Sequence, residues 1–255
     1  MRLFQKYSFL LATNLAGHGH ASLSPHGATF LLARLQADGP AASTIRARCP
    51  AAGWYLCAFE DRLPMDSDAF LWDPSSPVNR DASGNARFLG GAMLSAEAEA
   101  IVAATLHDAP IDVAIAMARN TFRQLALVEA GDTLGPDHLN AAVRPRIAEG
   151  FPARELAAYD TALQPRGLLP PALAPALLLH WPVLVIAMLV VPFALWRAGA
   201  TPRRALLACV LLGCLANAFV TGALSKPTPR YEARIAWLLP FAVALALVPA
   251  RRRAA

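Results

Sequence analysis

The apolar and polar positions change character near residue 170. Beyond it the chain carries three apolar runs, at 172–196, 205–224 and 235–250. A helix needs about 20 apolar residues to cross a hydrocarbon core about 30 Å thick. The first two runs meet that length. The third is shorter, but Ala233 and the aliphatic stem of Arg234 extend it, because long basic side chains reach toward the interface. Pro175, Pro182, Pro192 and Pro240 fall within or beside these runs. They are compatible with membrane helices, where neighbours satisfy the carbonyls that a proline frees. The pattern predicts three transmembrane helices within residues 171–255.

Residues 21–170 follow a different pattern, of short helical stretches cut by proline and glycine. Ser24 is placed to cap a helix with Pro25 in its first turn, and Gly39 and Pro40 are placed to stop it. Phe30, Leu31 and Leu35 would give it an apolar face. A second helix opens at Ser95, carries Glu97 and Glu99 near its positive end, and stops before Pro110. A third runs over 110–131, with Ile111, Ile115, Ala118, Phe122 and Leu125 at helical spacing. A last short helix begins with Pro152. Residues 64–91, rich in Pro, Asp, Ser and Gly, read as loop. Few stretches alternate as strands do. The fold class expected is mainly α: a helical extracytoplasmic domain followed by three transmembrane helices. Residues 1–20 place Arg2 and Lys6 before a short apolar stretch interrupted by Asn14. They read as a partial transmembrane or signal-like segment, resembling the last turns of a membrane helix.

Composition agrees with a mixed protein: 56% of residues are hydrophobic and 16% charged, against about 25% charged in ordinary soluble domains. The net charge of +5 does not point to nucleic acid. No zinc-finger spacing or aromatic–basic interleaving accompanies it. Much of the arginine excess flanks the apolar runs instead. Arg197, Arg203 and Arg204 separate the first two runs, and Arg251, Arg252 and Arg253 form the tail. Lys226, Arg230 and Arg234, offset by Glu232, separate the second and third. Counted by the positive-inside rule, the tail and first connection are cytoplasmic. Residues 21–170 are then periplasmic, in a bacterial inner membrane.

Several polar residues are candidates for chemistry. Arg230 and Arg234 are four apart and share a helix face, with Tyr231 beside them. Guanidinium forks suit phosphate. These three residues are the candidate lipid-phosphate-binding site, for a membrane lipid head group or a polyprenyl-phosphate-linked substrate. The same residue types also anchor helices at membrane boundaries. Asn217 and Thr221 share a face of the second run and are expected to bond to a neighbouring helix. Asp66 and Asp68 offer paired carboxylates, or a cap for a helix carrying Phe70, Leu71 and Trp72.

His18, His20 and His26 have a spacing a loop could use for a metal. No Cys or acid lies close, and the expectation is a loop leaving the membrane, without metal or cofactor. Cys49 and Cys57 bracket CPAAGWYLC. In an oxidising compartment they can form a disulfide; otherwise they are two buried thiols. Cys209 and Cys214 read as small apolar residues of the second span. No nucleophile elbow, phosphate loop or dinucleotide fingerprint occurs, so no complete catalytic motif is present. His180 is the ionisable residue inside the runs, which argues against a transporter.

The segments NLAGHGHASLSPHGATFLLARLQADGPA, CPAAGWYLCAF, LPMDSDAFLW and RYEARIAWLLP together resemble the C-terminal half of a family of bacterial polytopic membrane proteins without assigned chemistry. Its longer members are distantly similar to glycosyltransferases that use lipid-linked sugars. The resemblance runs over residues 14–240. It implies further spans upstream in longer members, and a catalytic carboxylate in a first external loop that has no counterpart here. The resulting expectation is an integral inner-membrane protein, non-catalytic as it stands, with a cell-envelope role and a membrane-protein partner as a candidate beside membrane lipid. The alternative is the C-terminal fragment of a lipid-linked-sugar glycosyltransferase-like enzyme.

Overall fold

Helices make up most of the computed structural model, which describes residues 2–19, 24, 26–199 and 201–248. No strand occurs among the described residues, apart from one isolated antiparallel bridge between Arg80 and Ala86. The chain divides into two units, residues 1–120 with 223–226, and residues 121–222 with 227–255.

The first unit contains α1 (Arg2–His18), α2 (Gly27–Ala37), α3 (Pro40–Arg48), α4 (Ser67–Trp72), α5 (Gly90–Met93), α6 (Ser95–Asp108) and most of α7 (Pro110–Ala126). Its core is Leu32 and Leu35 of α2, Ala41, Ala42 and Ile45 of α3, Phe70 of α4, and Ala98 and Ile101 of α6. Alanines at these crossings let α2 lie against α3 and α6. Gly39 ends α2 with a φ of 108°, a conformation open to glycine and costly for other residues. Pro40, expected to stop the helix, opens α3 instead, where its missing N–H has no helical partner to lose. His26 is the residue before α2; Pro25 and His20 lie outside the described residues. Phe30 points out beside Trp72, ring centroids 6.1 Å apart, while Leu35 is in the core.

Cys49 and Cys57 are disulfide-bonded, Cα atoms 5.5 Å apart. The bridge ties the end of α3 to the 3₁₀ segment Tyr55–Arg62. A loop this short is worth about 2–3 kcal/mol of unfolded-chain entropy. The start of that segment is held by Glu97, whose carboxylate accepts from the backbone N–H of Tyr55 (2.7 Å) and Leu56 (3.0 Å). Glu97 thus works on a remote helix start as well as standing in the first turn of its own. Within the 64–91 stretch, read as loop, Asp66 caps α4 by accepting from the N–H groups of Asp68 and Ala69. Gly90 is required further on: a Cβ there would lie 1.7 Å from the carbonyl oxygen of Val78.

The second unit holds the end of α7, then α8 (Arg144–Gly150), α9 (Ala153–Thr161), α10 (Leu169–Leu178), α11 (His180–Ala198), α12 (Pro202–Ala218), α13 (Pro229–Ala236) and α14 (Leu238–Leu247). Two helices are long and apolar enough to cross a membrane, Leu169–Ala198 and Pro202–Ala223. The first joins α10 to α11; the second continues α12 through a π-helical turn, Phe219–Ala223. Small residues form the seams: Ala187, Val191 and Ala194 of α11 are buried with Leu239, Ala242, Val243 and Ala246 of α14. Leu178, Ile186, Leu189, Trp196 and Leu212 are exposed. Small side chains inside and large apolar ones outside is the arrangement of helices packed in lipid.

The third apolar run is two short helices rather than one long one. Pro240 has no N–H to donate to Ala236, the last residue of α13, so the ladder breaks at Trp237. Alone, α14 has 10 residues and spans about 15 Å, half a hydrocarbon core. The same rule marks α10, which ends at Leu178, the residue Pro182 would otherwise bond. In α1 the apolar stretch is Ser8–Gly17, too short to cross alone. The arginines of the tail, Arg251 to Arg253, lie outside the described residues.

Candidate functional site

The three residues singled out for phosphate binding all stand on α13. Thr228 precedes Pro229 and is extended, as residues before proline are, and Pro229 starts the helix. Gln124, fully buried, fixes this start: its Nε2 donates to the Thr228 carbonyl (3.0 Å) and its Oε1 accepts from the Thr228 N–H (2.8 Å). In the first and second turns, the guanidinium groups of Arg230 and Arg234 lie over the ring of Tyr231, 5.1 and 5.2 Å from its centroid. The aromatic ring attracts both cations.

Asp132 is the carboxylate that meets Arg230. It accepts from the backbone N–H of Arg230 at 3.3 Å and stands 4.0 Å from the Arg230 guanidinium. Arg234 enters no ion pair among the described residues. The cluster therefore carries uncompensated positive charge on an exposed face. Trp237 continues this face: its Nε1 donates to the Arg234 carbonyl at 3.0 Å, and its ring packs against Phe241 at 6.1 Å.

The opposite side of α13 is buried. Asn217 of α12 donates to the Tyr231 carbonyl (3.0 Å) and to the Glu232 carboxylate (2.9 Å), and Glu232 is 2% exposed. Asn217 thus makes the interhelical bonds that its position in an apolar helix demands. Thr221, on the same face, bonds within its own helix to the Asn217 carbonyl. Chemically the arrangement offers two guanidinium forks and a phenol to an anionic oxygen cluster. It presents no nucleophile–base pair.

The other candidates resolve differently. Asp66 and Asp68 both take the ammonium of Lys226, at 2.9 and 2.7 Å. Burial alone would push the Asp66 carboxyl up, but the bonds from Lys226 and from the Ala69 and Asp68 N–H groups hold it below the ordinary range. These carboxylates are a cap and an ion pair. His180 shares its Nε2 with the Val128 carbonyl at 2.7 Å. Among the described residues no group of His, Cys, Asp and Glu is arranged to hold a metal. Glu232 and Lys226 were visible in the sequence only as charges, and Gln124 and Asp132 gave no signal, since their partners are 98 or more residues away. The chain matches no protein-family model, no curated protein and no solved structure.

Proposed function

We propose that this chain is an integral protein of the bacterial inner membrane. Residues 21–170 form a periplasmic helical domain, and the Arg230–Tyr231–Arg234 cluster binds the phosphate of a lipid head group at the outer face. The protein is non-catalytic as it stands and serves the cell envelope by docking or assembly. Two helices of crossing length support the membrane placement, and the basic residues around them support the orientation. The disulfide agrees with an oxidising compartment for residues 21–170. The third apolar run enters the bilayer as α14, about 15 Å long, with α13 and its arginines at the outer boundary.

The observation that carries the binding site is the pair of guanidiniums sharing one tyrosine ring beside an apolar helix, with Arg234 in no ion pair among the described residues. A membrane anchor needs basic residues near the boundary but does not need them stacked together. The same cluster suits a polyprenyl-phosphate-linked sugar, the ligand of the lipid-linked-sugar glycosyltransferase-like reading, because the phosphate chemistry is shared.

The test is lipid titration of the purified full chain in detergent, read by native mass spectrometry. Phosphatidic acid and polyprenyl phosphate should bind, and phosphatidylcholine should not. Arg230→Gln and Arg234→Gln should each weaken binding about tenfold or more, the scale of one charge-assisted hydrogen bond. A strong preference for polyprenyl phosphate over phosphatidic acid favours the enzyme-fragment reading. Equal binding of all three lipids, unmoved by either substitution, leaves only an anchor and overturns the proposal.

A further inference from the structure

Helix α7 is built inside out. Ile111, Ile115 and Phe122 are 72%, 60% and 70% exposed, and Ala114 and Ala118 between them are exposed too. At 100° per residue these side chains fall on one stripe along a single helix. The buried side of the same helix carries Val113 and Ala116 but also Asn120, Thr121 and Gln124. Those polar groups are used internally: Asn120 donates to Asp38 at 2.7 Å, and Gln124 holds Thr228. A soluble amphipathic helix turns its apolar stripe inward. This one satisfies its polar side in protein and leaves the apolar stripe uncovered.

Two further observations select the occupant. First, the stripe has a basic edge. Arg119 and Arg123 lie along one flank and are exposed, with Asp112 as the acid on that flank; Arg119 also reaches Asp38 at 3.8 Å. Arginine stems can lie over an apolar boundary while their heads meet lipid phosphate. Second, the stripe belongs to a chain with two helices of membrane-crossing length, so a bilayer is its standing environment. The pair α6 and α7 is apolar enough to pass for one span but bends by 102° at Ala109. Moreover α6 is committed to a protein core through Ala98, Ile101 and Val102. The pair therefore does not cross; α7 alone is available.

We infer that α7 lies in the membrane interface with Ile111, Ile115, Ala118 and Phe122 sunk among the acyl chains and Arg119 and Arg123 at the phosphates. Such helices insert their apolar side about 5–10 Å into the headgroup–acyl boundary. The inference goes beyond the phosphate site on α13 and needs only that the chain resides in a bilayer.

The test uses the full chain with Cys209→Ala and Cys214→Ala, reconstituted in phosphatidylethanolamine–phosphatidylglycerol vesicles. Single cysteines carrying nitroxide labels are placed at Ile115 and Phe122, in parallel at Ala114 and Ala118, and at Asp112 and Arg123. The alanine positions give a series that removes no large side chain, so a loss of fold at the others does not end the experiment. Labels on the stripe should collide with oxygen several-fold more, relative to a water-soluble nickel reagent, than labels at Asp112 and Arg123. Free access of nickel to Ile115 and Phe122 would place the stripe in water and overturn the inference. Labels that are immobile and shielded from both reagents would mean a protein partner covers it, which overturns it as well. Failure here leaves lipid binding at Arg230 and Arg234 intact, and the reverse also holds.

Discussion

Replacing Gln124 by leucine isolates the contact that sets the start of α13. The change keeps the volume but removes both halves of the amide clamp on Thr228, bonds of 2.8 and 3.0 Å. The Thr228 carbonyl also accepts from the Tyr231 N–H at 3.1 Å, so the variant removes the side-chain clamp and leaves the helical bond in place. Each bond of the clamp is then worth a net hydrogen bond, about 0.5–1.5 kcal/mol. Thr228 is only partly buried, which admits some water in place of the amide. The sum is about 1–2 kcal/mol for the pair. At about 1.4 kcal/mol per tenfold, local opening at Thr228 should rise by about 5- to 30-fold. Hydrogen exchange of a peptide covering residues 226–232, measured by mass spectrometry in detergent, reads this directly. Gln124→Glu gives an internal control. It keeps an acceptor for the Thr228 N–H, loses the donor while ionised, and regains one when protonated. Exchange at Thr228 in Gln124→Leu within two- to threefold of the parent, about 0.5 kcal/mol, in a protein of unchanged helicity, would refute the reasoning.

Two shorter predictions address topology and acid stability. Alkaline phosphatase fused after Gly167 should be active and after Arg253 inactive, because the enzyme folds only where disulfides form; the reverse pattern overturns the proposed sidedness. Asp108 is held at a pKa of about 2, chiefly by the bidentate bond from Arg48 and then by His107. A depressed carboxyl contributes stability that is present above its unfolded pKa, about 3.9, and lost as pH falls through about 2. Asp108→Asn should therefore lower the thermal midpoint near neutral pH and flatten its fall between those values. An Asn variant with the same acid profile as the parent would show the pair contributes nothing.

The elements that proline, serine and cysteine punctuate are the ones the sequence makes plain. Ser95 and Pro110 open α6 and α7, Pro152 precedes α9, and the two cysteines meet. Asp66 caps the helix carrying Phe70 to Trp72. Such signals are local, and a local signal survives whatever the rest of the chain does. Pro40 misleads because the same residue suits the end of one helix and the start of the next; the 108° φ of Gly39 decides between them. The third apolar run misleads because hydropathy measures how greasy a stretch is and not whether its hydrogen-bond ladder is continuous across Pro240. The Arg230, Tyr231 and Arg234 cluster needs only helical spacing to be seen, and it forms. Its supports, Gln124, Asp132 and Asn217, come from other helices and leave no trace in local pattern.

Periodicity also has a blind side that α7 exposes. A repeat of Ile111, Ile115, Ala118, Phe122 and Leu125 states that these residues share a face; it does not state which solvent the face meets. In water the answer is the core, and polar residues on the other side need no protein partner. Here the polar side is the one with partners, Asn120 on Asp38 and Gln124 on Thr228. The same inversion appears in α11, with Ala187 and Ala194 inside and Ile186, Leu189 and Trp196 outside. An apolar solvent removes the gain from burying large side chains and leaves close packing and hydrogen bonding to decide what goes inside. A helix that turns small or hydrogen-bonded residues toward protein and leaves large apolar residues exposed is ordered by that rule. Two helices from different parts of the sequence obey it, α11 and α7, and that agreement is why the bilayer, rather than a protein partner, is assigned to the stripe on α7.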